Sequence, residues 1–122
     1  MMQHVYAGEY DLEVELTLFP QQEGSRKMGL PFQTDQDGPR LYLDGRECLA
    51  VFTLQDRERL LPGETAHIFV TLSFPEDLIG RLHPDQAFLL HEGYHPIGKG
   101  RILALLNFEK HAEEALRRGQ NQ

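Results

Sequence analysis

Phe88-Leu89-Leu90-His91-Glu92-Gly93-Tyr94-His95-Pro96-Ile97-Gly98-Lys99-Gly100-Arg101-Ile102-Leu103 decides the fold of this 122-residue chain. Read as letters, His91-Glu92-Gly93-Tyr94-His95 spells the HExxH string of a zinc hydrolase. That chemistry needs a helix, where residues four apart share a face and both imidazoles reach one Zn²⁺. Here Gly93, Pro96, Gly98 and Gly100 put four helix breakers into eight residues. The physical reading is a β-hairpin with arms at 88–92 and 97–106. No catalytic residue is assigned and no cofactor is expected. His91 and His95 stay as weak metal candidates, since side chains flanking a hairpin turn can share an ion.

The rest of the chain is punctuated like the hairpin. Tyr10-Asp11-Leu12-Glu13-Val14-Glu15-Leu16-Thr17-Leu18 alternates apolar and polar residues, giving one dry face and one wet face. Gln21 to Pro39 is a long polar loop. Leu41-Tyr42-Leu43 reads as a short strand, Asp44-Gly45 as a hairpin turn, and Glu47 to Leu54 as the partner strand. Leu61-Pro62-Gly63-Glu64 is a turn in which Pro sets φ and Gly supplies a positive φ. Thr65 to Phe74 follows as a strand with Ile68, Val70, Leu72 and Phe74 on one face. Glu76 to Asp85 is a crossover with room for one helical turn.

These segments predict an all-β domain over residues 1–106, a small six-stranded closed antiparallel barrel that leaves no unpaired edge. A short helix over 107–118 follows, with Asn107 as N-cap and Phe108, Ala112, Ala115 and Leu116 as its apolar stripe. Gly119 closes it and residues 119–122 fray.

Composition bounds the function. Apolar residues at 40% and charged residues at 25% place the chain among ordinary globular proteins. No apolar run reaches the roughly 20 residues that cross a bilayer, and no secretory leader is visible at Met1. Cys48 has no second cysteine to pair with, which suits a reducing cytoplasm, and a strand position favours a buried, inert thiol. The net charge of −7 opposes phosphate binding at long range.

The order of these features resembles the C-terminal (third) β-barrel domain of bacterial elongation factor Tu. Glu13-Val14-Glu15-Leu16 leading to Glu23-Gly24-Ser25-Arg26 is similar to the acidic strand and Glu-Gly-Gly-Arg loop that open that barrel. Pro39-Arg40-Leu41-Tyr42-Leu43 resembles its aromatic strand, and Leu61-Pro62-Gly63-Glu64 its Met-Pro-Gly-Asp turn. Ile68 to Pro75 matches its Ile-x-Val-x-Leu-x-x-Pro strand, and Phe88 to Gly100 aligns without a gap to its last hairpin. The resemblance runs from about Tyr10 to Leu106. It implies a barrel fold in translation-protein style and a non-enzymatic accessory module.

The departures shape the functional expectation. No Gly-x-x-x-x-Gly-Lys-Ser/Thr loop is present to cradle phosphates, so no nucleotide is expected. The family's barrel helps to hold the T-stem of aminoacyl-tRNA. Its basic position before the strand-leading Pro is Gly38 here, and its hairpin arginines are His91 and His95. A protein partner is therefore the first expectation. RNA binding through a local basic patch of Arg26, Lys27, Arg40, Lys99 and Arg101 is the alternative. Tyr94 at the hairpin tip is the candidate contact anchor for either.

Overall fold

The computed structural model describes residues 9–20, 39–55 and 57–120. Within them the chain forms β1 (Leu12–Leu18), β2 (Arg40–Leu43), β3 (Arg46–Cys48), β4 (Ala50–Leu54) and β5 (Thr65–Leu72). A 3₁₀ turn (Pro75–Leu78), β6 (Ala87–Glu92), β7 (His95–Leu105) and the helix α1 (Phe108–Gln120) complete it. The strands make one antiparallel sheet in the order β3-β2-β6-β7-β1-β5-β4.

The all-β class is as expected, but the sheet is a curled half-barrel of seven strands rather than a closed barrel of six. The cause lies at Leu49. The expected strand Glu47–Leu54 divides there, so that β3 pairs with β2 while β4 pairs with β5. A nine-residue stretch, 46–54, thus supplies both outermost strands of the sheet. Strands one residue apart in sequence can stand at opposite ends of the order only if the sheet curls to bring those ends together.

The curl encloses one apolar cluster. Leu12, Val14, Leu16 and Leu18 of β1 meet Ile68, Val70 and Leu72 of β5, Phe52 of β4, Leu90 of β6 and Ile102 of β7. The period-two alternation of β1 produces this, with every second residue dry. Phe74 departs from expectation: β5 ends at Leu72, and Phe74 is 53% exposed beyond it.

The turns follow the chemistry of their residues. Asp44 and Gly45 both have positive φ, 53° and 76°, the type I′ pattern that matches strand twist. Gly63, at φ 86° after Pro62, makes the type II turn, closed by Glu64 N–H donating to the Leu61 carbonyl at 3.0 Å. Gly93 at φ 61° is the first central residue of a two-residue turn between Glu92 and His95. The hairpin expected from the sequence is therefore present, as β6 and β7.

Helix α1 continues through Gly119 to Gln120, beyond the expected closure at 118–119. Its first turn is fastened to the start of β1. Asn107 Nδ2 donates to the Tyr10 carbonyl at 3.2 Å, and the Asn107 carbonyl accepts the His111 N–H at 2.9 Å. Phe108 and Ala112 are buried, whereas Leu116 is exposed, so the buried stripe is narrower than predicted.

Candidate functional site

Two outward-facing regions lie at opposite ends of the strands. The first is the outer surface of β2, β6 and β7 with the turn that joins the last two. Because Leu41 and Leu43 point inward, Arg40 and Tyr42 point outward; Leu89 and His91 do the same on β6. The register places Tyr42 beside Leu89, Leu89 beside Lys99, and Lys99 beside Thr17. Tyr42 stacks on His91 with centroids 5.1 Å apart and planes 9° from parallel. Tyr94 stands at the turn, 98% exposed.

The hairpin disposes of the helical reading of His91-Glu92-Gly93-Tyr94-His95. Glu92 is opposite His95 and His91 opposite Pro96, so the two histidines are not four apart on a helical face. His91 Nε2 is shielded from solvent with no hydrogen-bond partner, and the ring lies against Tyr42. Among the described residues no three His, Cys, Asp or Glu side chains are grouped to hold a metal ion.

Of the five candidate basic residues, Arg40, Lys99 and Arg101 are described. Arg26 and Lys27 lie outside the described residues. Arg101 donates to Glu15 at 3.3 Å and to Asp85 at 2.8 Å. The hydrogen bond that Arg101 donates to Glu15, then the charge of Glu15, holds the guanidinium protonated beyond its ordinary range. Arg40 lies 3.8 Å from Glu47. Lys99 is exposed between Leu89 and Thr17. Arg40 and Arg101, two of the three candidate residues that are described, are thus answered by carboxylates of the same chain.

The second region was not singled out by the sequence reading. Asp11, just before β1, is 1% exposed. Its Oδ2 accepts the Leu72 N–H at 2.7 Å, and its Oδ1 meets His111 Nδ1 at 2.5 Å. Its own N–H donates to the Val70 carbonyl and its carbonyl accepts the Leu106 N–H. One residue thereby ties together β1, β5, the end of β7 and α1. An open groove of about 420 Å³ lies beside this clamp, lined by Phe74, Pro75 and Glu76 on one side and His111, Glu114 and Arg118 on the other.

Cys48 is half-buried, its thiol 3.6 Å from the Arg46 carbonyl. Burial pushes the thiol pKa up, only partly opposed by a backbone hydrogen bond and by Arg46. A folded pKa above the unfolded one means the native state holds its proton longer. The resulting stability is present below the unfolded pKa and is lost as pH rises through the folded one. Near pH 8.5, iodoacetamide is therefore expected to alkylate native protein severalfold more slowly than urea-unfolded protein. Mass spectrometry of timed aliquots reads this, and equal rates would refute a shielded thiol.

No protein-family model matches this chain, and a search of curated proteins finds none similar to it.

Proposed function

We propose that this chain is a non-enzymatic, cytoplasmic binding module, a variant of the elongation factor Tu third domain, that engages a protein partner. The observation that carries the reading is the outer face of β2–β6–β7. Tyr94, Tyr42 and Leu89 are exposed there on a hydrogen-bonded scaffold. Rigid aromatic side chains of this kind supply binding energy at low entropic cost, and interfaces are enriched in them. The likeness to the closed barrel is supported by counting β3 and β4 as one strand bent at Leu49, which gives six strands.

The neutralisation of Arg40 and Arg101 by Glu47, Glu15 and Asp85 favours protein over RNA. Phosphate binding would have to compete with those carboxylates against a net charge of −7. The test uses the whole chain as bait in native extract at physiological salt. Tyr94→Ala is expected to abolish retention of the partner without moving the unfolding midpoint, because Tyr94 touches solvent almost entirely. A partner retained equally by Tyr94→Ala and Tyr42→Ala baits would overturn the assignment of this face. Tight, salt-dependent retention of tRNA at low salt would instead favour the RNA alternative.

A further inference from the structure

Tyr42 is 41% exposed on the outer face of β2, yet its ring has a fixed neighbour. A tyrosine standing on a strand surface has more than one comfortable χ1 setting, and freezing it on binding costs entropy. The pairing of β2 with β6 sets Arg40 opposite His91 and Tyr42 opposite Leu89, which makes Tyr42 and His91 diagonal neighbours. Their rings lie within 9° of parallel with centroids 5.1 Å apart, the range of attractive offset stacking. The imidazole is not there for its Nε2, which is shielded from solvent and has no hydrogen-bond partner. An unpaired polar nitrogen is a cost that an apolar ring of similar shape would not carry. What His91 supplies to this surface is a flat plate.

We propose that His91 is a positioning residue: it holds the Tyr42 phenol in one rotamer beside Leu89, so that the face meets its protein partner already ordered. This rests on the reading of Tyr42, Leu89 and Tyr94 as the binding face, and it assigns the two tyrosines different parts. Tyr94, 98% exposed at the turn, is ordered only when the partner covers it, whereas Tyr42 is ordered beforehand. Ordering one such side chain in advance is worth about three- to tenfold in affinity. Ring shape carries the role and hydrogen bonding does not, so His91→Phe keeps it and His91→Ala loses it.

The test has two arms, both on the intact chain. In the first, the Hα–Hβ couplings of Tyr42 report its χ1 populations in the free protein by NMR. Wild type and His91→Phe are expected to show one dominant rotamer, and His91→Ala an average. An averaged Tyr42 in wild type, or one dominant rotamer in His91→Ala, would overturn the proposal. In the second arm the immobilised chain captures protein from native extract at physiological salt, and timed washes give the release rate of the band that wild type retains. His91→Ala is expected to speed release about three- to tenfold, while His91→Phe leaves it unchanged. Tyr42→Ala combined with His91→Ala releases no faster than Tyr42→Ala alone, because His91 acts only through Tyr42. Release accelerated as much by His91→Phe as by His91→Ala, or two effects that add in the double variant, would also overturn it. A wild-type chain that retains nothing removes the face reading alone, and the rotamer arm still decides whether His91 orders Tyr42.

Discussion

Asp11→Ala is expected to lower stability by about 3–5 kcal/mol, a large part of the 5–15 kcal/mol that holds a typical domain together. The substitution removes the acceptor of the Leu72 N–H, leaving that donor in a site where Asp11 was 1% exposed. It also strips His111 of its carboxylate, and with it a tie between α1 and the sheet. The two losses add because they fall on different elements. Asp11→Asn retains an acceptor for Leu72 and is expected to cost less, about 1–2 kcal/mol. His111→Ala is expected to cost less than Asp11→Ala, because the imidazole is partly exposed and the Leu72 bond survives. Urea unfolding followed by far-ultraviolet circular dichroism measures all three. An Asp11→Ala midpoint shift worth under about 1 kcal/mol would show that the clamp does not carry the packing.

The same residue marks where the sequence stops being legible. Alternation along Tyr10 to Leu18 assigns Asp11 to the wet face, with Glu13 and Glu15. The strand begins only at Leu12, so Asp11 escapes the period-two rule and turns inward, where backbone donors receive it. Its partner left a faint trace. His111 stands three residues after Phe108 and one before Ala112, a polar residue inside an apolar helical stripe. Pairing two such anomalies 100 residues apart requires the fold, because no local rule relates them.

By contrast, the tight turns, which local backbone chemistry governs, were readable. Asp44, Gly45, Gly63 and Gly93 each take the positive φ that their turns demand. The breakers of 93–100 turn HExxH into a hairpin. Strand number failed for a matching reason. The division at Leu49 is set by which neighbours β3 and β4 find, a long-range matter that the eight residues Glu47 to Leu54 do not disclose. The outward surface of Tyr42 and Leu89 was half-visible. Tyr42 is flanked by two inward leucines, but Leu89 sits in the apolar run Phe88-Leu89-Leu90, where alternation has no contrast to read.

Gly100→Ala is expected to destabilise the chain by about 3 kcal/mol, the upper end for overpacking, although it adds a single methyl group. Gly100 lies opposite Leu16 on β1 and Phe88 on β6, in the middle of the sheet. A Cβ there would overlap both the Glu15 carbonyl oxygen and the Phe88 ring. The carbonyl belongs to the backbone of β1, which is paired on both sides, by β5 and by β7. It cannot retreat without disturbing ladders at the centre of the fold. The ring is buried and has little room either. A second substitution separates the two obstacles. If the backbone is the harder of them, Phe88→Leu in the Gly100→Ala background leaves most of the loss in place, since shrinking the ring does nothing for the carbonyl. If the double variant instead recovers to near Phe88→Leu alone, the ring is the whole obstacle and the close approach of β1 to β7 is not what demands glycine. Gly119→Ala is the internal control. A Cβ at that helical position meets open space, so the same chemical change is expected to be neutral or slightly stabilising. Opposite signs from one substitution type, read in the same denaturant series, would locate the cost in strand spacing rather than in glycine replacement itself.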